Sequence, residues 1–515
     1  MVGAVQALER ARLGLDTASV PRRTTVAGLG LLCVLSLWLR TRVLGGGFWI
    51  DEGISVGIAH HPLTAIPHLL REDGSPPLYY LLLHVWIGAF GDGERATHAL
   101  SLPPALACVP LGYWAARSIF GRTAGWICAA LAALDPYLTY YGQETRMYTL
   151  VACLSIAAAA AFVHGVVRGR RRYLPLLVAT LDLILYTHNW GLFLCLGLAA
   201  ATAAVARDRW RPAALAGAAT ALLYVPWLPI LLDQARHTGA PWTLPPSVHA
   251  LVLGPGFVIS GDAPLAALAL AGGAGLAAVL RRRADPARAP ALALLAAVGA
   301  AELTAWVFSQ LTPAWASRYL AVLLGPLLLL AAAGLARAGR LGLVALALVV
   351  FLWAGYSAHD DKSNVRAIAH GVEPYLQPGD LVLSTHPEQV PVLRYYLGGG
   401  LRFATQLGAV RDPRVMDWRD ALDRLRAVSV GRELEPLLAS LRPGQHLVVV
   451  SPVFRDYRAW RAPWTRLVYD TSRVWTRTVA ADPRLREVTT VGSDEVLEER
   501  NYWKPLQAAV YLRRE

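Results

Sequence analysis

Lysine is nearly absent from this chain, methionine occurs three times, and charge of either sign is scarce. Only 17% of the 515 residues are charged against 55% that are hydrophobic, and the mean hydropathy is +0.39. That balance excludes a soluble chain of ordinary multidomain type, which would carry far more charge over this length. The five cysteines (Cys33, Cys108, Cys128, Cys153 and Cys195) all lie within apolar segments. They form no disulfide framework and have no zinc-site spacing, so they read as small buried hydrophobes. No G-x-x-x-x-G-K-[ST] run occurs, which argues against ATP-driven work by this chain and against a nucleotide cofactor. The little lysine beside abundant arginine and alanine fits a GC-rich bacterial genome.

Apolar stretches long enough to cross a bilayer recur from about residue 24 to about residue 357. The formal net charge of +13 does not point to nucleic acid, because the arginines gather in short loops between these stretches. Those loops are RSIFGR (117–122), RGRRR (168–172), RDRWR (207–211), RRRADPAR (281–288) and RAGR (337–340). The positive-inside rule makes them cytoplasmic. Each consecutive pair then needs two crossings, which the intervening runs supply. The threading has about 11 transmembrane helices: 24–44, 98–117, 123–141, 147–167, 173–189, 190–206, 212–232, 262–280, 289–309, 318–336 and 341–357. Residues 45–97 become one long external loop holding PPLYYLLLHVWIGAF (76–90), a run short for a full span. The first 30 residues are too long and too charged for a cleaved signal peptide, so the first run is an anchored helix. The expected division is a membrane domain over 1–357 and a water-soluble domain over 358–515.

This threading, set by arginines alone, gathers the unusual polar residues on the external face. Asp51 and Glu52, in FWIDEGISVG, sit between apolar flanks where a pair of carboxylates is expensive to place unless used. Read functionally, they are a base and a neighbouring carboxylate; read structurally, a solvated helix end. Glu144 and Arg146, in GQETRMY, stand beside Tyr140, Tyr141 and Tyr148, where tyrosines alone would be an interfacial belt. His188 in YTHNWG is a ligand or substrate contact or a satisfied interfacial residue. Asp73 in REDGSPPLYY is a third carboxylate or a turn cap. Arg318, followed by Tyr319, lies on the side where arginine is disfavoured, and a guanidinium there suits phosphate.

An external W-x-D-E after the first span, then D-G-S-P-P-L-Y-Y-L-L-L-H-x-W, then E-x-R-M-Y, then a late R-Y, resembles the GT-C membrane glycosyltransferases. The nearest likeness is to the bacterial branch around protein O-mannosyltransferases and lipid A aminoarabinose transferases. It spans residues 45–190 well and 310–320 more loosely, and leaves the tail uncovered. What the resemblance implies is a GT-C-like helical membrane protein that transfers a sugar, with inversion, from a polyprenyl-phosphate donor. The acceptor would be a hydroxyl of a cell-envelope glycolipid, polysaccharide or protein, and mannose or a pentose the favoured sugar. The first-loop aspartate of that family maps onto Asp51 as base, with Glu52 supporting it. The second-loop carboxylate, which organises the site or a divalent metal (Mg or Mn), maps onto Glu144, with Asp51 as a further ligand. The second loop carries Glu where relatives often carry Asp, and the first loop carries GSPP beside the place where they often carry Lys. Asp73, Tyr79, Arg146, Tyr148, His188, Arg318 and Tyr319 complete the expected substrate-binding set.

From about 358 the sequence alternates helical and short apolar stretches, as a small α/β domain does. Strands are expected at DLVLST, GQHLVVVSPV and QAAVYLRR, with helices near 417–441 and 456–480. The location implied is a bacterial plasma membrane, multi-pass, with the site and the tail extracytoplasmic. A secondary transporter or lipid-linked-sugar flippase is the rival, although such proteins place their charges near the midplane and often show repeats. A membrane anchor that merely presents the tail would leave Asp51, Glu144 and Arg318 without a role.

Overall fold

The computed structural model describes residues 21–259, 261–356, 362–454, 460–492 and 505–515. Each of the eleven threaded segments contains a helix, from Arg22–Leu39 at the start to Arg340–Ala354 at the end. Among the described residues, seven helical stretches are long and apolar enough to cross a membrane, including Glu94–Phe120, Tyr148–Val167, Asp262–Arg281, Arg288–Leu311 and Ser317–Ala338. Others are shorter: Arg122–Leu134, Leu174–Leu185 and Gly191–Val205 run 12 to 15 residues. At 1.5 Å per residue these reach about 20 Å, less than the hydrocarbon core, so local thinning or flanking turns must complete the crossing. Leu215, Leu222, Leu270 and Phe351 stand exposed on the outer faces of the bundle. Outward apolar side chains on helices with this composition face lipid rather than water. The chain is a polytopic helical membrane protein with a sheet-containing C-terminal region.

The first loop is helical rather than open. Ile50–Ala59, Ile66–Asp73 and Leu78–Phe90 fold it into three helices. The helix carrying Asp51 begins with both acidic residues in its first turn, where they complement the N-terminal dipole. Glu52 also accepts the Trp49 amide N–H at 3.4 Å, as the third residue of a capping box does. Gly53 and Gly57, one turn apart, let this helix press on the C-terminal region. A Cβ at Gly53 would fall 2.5 Å from Val392, and one at Gly57 2.0 Å from the Arg414 carbonyl oxygen.

The C-terminal region holds a six-stranded sheet in the order β3-β2-β1-β4-β6-β5. Its strands are β1 (Leu381–Ser384), β2 (Arg402–Thr405), β3 (Gly408–Ala409), β4 (His446–Pro452), β5 (Leu485–Val491) and β6 (Leu506–Arg513). β1 pairs in parallel with β2 and β4, while β6 runs antiparallel between β4 and β5. The three expected strands are β1, β4 and β6. β3 is two residues long, β2 (RFAT) lacks the continuous apolar run that marks the equally short β1 (LVLS), and β5 is largely exposed, so its apolar pattern is weak. The expected helix near 417–441 is broken into Ala421–Arg426, a wide turn at Val430–Leu434 and Glu435–Ala439. Ser429, extended and accepting the Arg432 N–H on its side chain, starts a new turn after the first break, and Pro436, which has no N–H to donate, falls where the wide turn gives way to the last helix. The later helix is Pro463–Ala480; the beginning of its expected range, 456–459, lies outside the described residues. Phe48 and Val56 of the first loop are buried in the same core as Val382, Val448 and Val510 of the sheet. The first loop and the sheet therefore share a core.

Candidate active site

A cavity of about 870 Å³ lies where the first loop, the turns 144–147 and 188–190, the start of Ser317–Ala338 and the C-terminal region converge. Asp51, Asp73, Arg146, His188, Arg318 and Tyr319, six of the residues expected from the sequence, line it. Leu192, Phe193, Leu196 and Phe308 give it an apolar wall continuous with the membrane helices. Its roof comes from the C-terminal region, through Glu388, Trp418, Ala462 and Thr465. Three backbone hydrogen bonds pin that roof down: Trp418 N to Glu72 O (2.9 Å), Asp420 N to His237 O (2.7 Å) and Trp464 N to Pro241 O (3.1 Å).

Asp51 sits between two guanidinium groups. Arg318 approaches its Oδ2 to 3.4 Å and Arg146 to 4.0 Å, yet that oxygen has no hydrogen-bond partner among the described residues. Both arginines are held from behind. Arg318 Nε donates to Tyr148 Oη at 2.9 Å, and its guanidinium packs 5.7 Å from the Trp49 ring and 5.3 Å from that of Tyr319. Arg146 donates to Ser55 Oγ (2.9 Å), to the Asp51 carbonyl (3.3 Å) and to Tyr80 Oη (3.4 Å). Two fixed cations beside an unsatisfied carboxylate, at the end of an apolar wall, are chemically able to hold an anion and to take up a proton beside it.

His188 accepts the Trp190 amide N–H on Nδ1 at 3.1 Å, so its neutral form carries the proton on Nε2. Asp73 is raised by burial, while Arg146 draws it down and Asp51 pushes it up.

Four expected residues stand off the cavity wall. Tyr148 is fully buried behind Arg318, and Tyr79 packs edge-on against Tyr80, their ring centres 6.2 Å apart. Glu52 and Glu144 are both completely buried. Glu52 takes His98 Nε2 at 2.7 Å and the Thr145 amide at 2.8 Å; Glu144 takes Trp49 Nε1 at 2.6 Å. Between them lies Lys362, 3.4 Å from Glu52 and 3.7 Å from Glu144, with its ammonium 5.2 Å from the Tyr140 ring centre. Burial would raise Glu52, but Lys362, His98 and the Thr145 N–H bring it to about 2. Burial raises Glu144, Lys362 opposes this, and the charge on Glu52 raises it further. One cation thus serves two carboxylates that lock Trp49, and with it the Asp51 helix, against the 144–147 turn.

Lys362 was not read from the sequence, although it is one of only two lysines in the chain and that rarity was the available signal. Gln234, Glu388 and Trp418 carried none. Removing the ammonium by Lys362→Met would leave a buried uncompensated charge and lower stability by about 3 to 5 kcal/mol. Denaturant titration of the purified protein checks this, and Lys362→Arg should recover part of the loss. Among the described residues no group of three or more His, Cys, Asp or Glu side chains converges to hold a metal. Glu144 faces an ammonium and an indole N–H, and Asp51 faces two arginines, so neither is set to receive a second cation. The donor set does not fit a divalent ion.

No family model matches the chain, and neither does any curated protein. Solved structures do. ArnT from Cupriavidus metallidurans, crystallised with undecaprenyl phosphate bound, aligns over 95% of this chain and 98% of its own with TM-score 0.60 and 14% identity. The mycobacterial arabinofuranosyltransferase AftD aligns over 97% of this chain and 40% of its own, with TM-score 0.54 and 18% identity. The apo oligosaccharyltransferase from Archaeoglobus fulgidus aligns over 83% and 69%, with TM-score 0.52 and 13% identity. The chain has the GT-C fold.

Proposed function

We propose that the chain is an inverting glycosyltransferase that moves a sugar from a polyprenyl-phosphate donor to a hydroxyl of a cell-envelope acceptor. One observation carries this reading: Asp51 and two braced arginines meet the end of an apolar wall in a single cavity. A lipid-linked sugar phosphate needs that combination, because its tail belongs in hydrocarbon and its charge does not. ArnT, which shares the fold, holds undecaprenyl phosphate in its crystal structure. Mannose and pentoses are the favoured sugars, and AftD's arabinofuranosyl activity keeps a pentose in view. The arginine loops support a reading in which the cavity and the C-terminal region, about 358–515, face away from the cytoplasm, the membrane in this reading being a bacterial plasma membrane.

In the proposed reaction the tail lies along Leu192, Phe193, Leu196 and Phe308, with the phosphate between Arg146 and Arg318. Asp51 takes the acceptor's hydroxyl proton as the oxygen attacks the anomeric carbon. The bond from sugar to phosphate breaks, and polyprenyl phosphate leaves with the electron pair, its charge met by the arginines. Fixed positioning of donor and acceptor supplies much of the rate. Attack opposite the leaving phosphate inverts the anomeric centre. Membranes containing the protein, given labelled polyprenyl-phosphate sugars, should yield product of inverted configuration by NMR. Retained configuration would contradict the single displacement. Movement of intact lipid-linked sugar between leaflets, with its bond to phosphate unbroken, would favour a flippase.

A further inference from the structure

The proposal of a lipid-linked donor leaves open which sugar the cavity accepts, and one part of its wall bears on that choice. The turn after Asp73 is clamped by two carboxamides. Asn189 Nδ2 donates to the Gly74 carbonyl at 3.1 Å; Gln234 Nε2 donates to the carbonyls of Leu70 (2.8 Å) and Ser75 (3.1 Å). Backbone carbonyls only accept, so these contacts fix which end of each amide is nitrogen. The opposite ends, Asn189 Oδ1 and Gln234 Oε1, have no hydrogen-bond partner among the described residues, and both side chains line the cavity. Gln234 is only 2% exposed, so its unmatched oxygen is a buried acceptor lacking a donor. Asp73 stands on the same wall, accepting from Tyr80 Oη at 3.3 Å.

The cavity is therefore divided by hydrogen-bonding sense. Donors gather where the phosphate is proposed to sit, in Arg146 and Arg318. Along the 73–75 turn stand two amide oxygens and a carboxyl, all acceptors, with the Ser75 hydroxyl, which can donate as well as accept, beside Asp73. We propose that this wall reads the transferred sugar and selects one that presents hydroxyl or ammonium donors, to the exclusion of a uronic acid. A sugar hydroxyl supplies the proton that Gln234 Oε1 and Asn189 Oδ1 lack, and an amino group does the same with added attraction to Asp73. A uronate would bring two more acceptor oxygens and a negative charge against them.

The test rests on the reading of a polyprenyl-phosphate donor and is arranged to separate the two failures. Full-length protein in nanodiscs is titrated with undecaprenyl phosphate alone and with the same lipid bearing mannose, arabinose or glucuronate. The better neutral lipid should bind more tightly than the sugar-free one, and the glucuronate lipid more weakly than that neutral lipid by on the order of 10²-fold. The gain from the neutral sugar should shrink in both Gln234→Leu and Asn189→Leu. A glucuronate lipid bound as tightly as the better neutral one, or a gain that survives both substitutions, overturns the sugar assignment alone. Failure of all four lipids to bind overturns the lipid-linked donor as well. The wild-type comparison needs no variant to fold.

Discussion

Asp51→Asn should lower kcat for sugar transfer by on the order of 10³-fold, within the span that loss of a general base produces. It should also bind undecaprenyl phosphate at least as tightly as the wild type. Asparagine keeps the shape of the side chain and cannot take the hydroxyl proton. It also removes the negative charge that faces Arg318 at 3.4 Å and Arg146 at 4.0 Å, freeing both for phosphate. Opposite signs for turnover and lipid binding are the signature of a base beside an anion site. A residue that merely held the arginines in place would lose both together, and that result would remove Asp51 from the chemistry. Turnover is read from labelled sugar transfer in membranes and binding from titration of the same preparation.

Arg318→Ala should reduce kcat/KM for the donor by on the order of 10²- to 10³-fold, the range for removing one preorganised donor to a developing oxyanion. The acceptor's KM should change far less. The guanidinium is pre-positioned by Tyr148 Oη at Nε and by the rings of Trp49 and Tyr319, with its Nη2 3.4 Å from Asp51 Oδ2. Arg318→Lys should recover only part of the loss, because an ammonium cannot make two parallel bonds to phosphate. Equal effects on donor and acceptor would argue for general disruption of the cavity instead of a phosphate contact.

The membrane fold was legible because its physics is local. An apolar run of sufficient length and an arginine loop each announce themselves in sequence, and together they located eleven helices. The cavity was partly legible for the same reason: Asp51, Arg146, His188 and Arg318 are polar residues at the ends of apolar runs, where polarity is conspicuous. Lys362 and Glu388 belong to a region where charge is ordinary, and nothing in their neighbours separates a buried lysine from a solvated one. Gln234 lies on the short helix Leu228–His237 and reaches the site only because that helix packs beside Ile66–Asp73. Contacts between residues more than 150 positions apart leave no periodic trace. Glu52 and Glu144 show the converse: sequence marked them as unusual, and geometry gives them a shared ammonium and a wall to hold.

The proposed work of this cavity is to break the bond between a sugar and a polyprenyl phosphate. Its most direct measurement is polyprenyl phosphate released per protein in a single turnover. Wild type and Asp51→Asn would each be loaded with labelled mannose- and pentose-bearing lipids in the presence of cell-envelope extract as acceptor. Wild type should release close to one equivalent of free polyprenyl phosphate from at least one of these lipids, and Asp51→Asn almost none over the same interval. Intact donor after prolonged incubation with wild-type protein that binds it, or equal release by the two proteins, would contradict this reading.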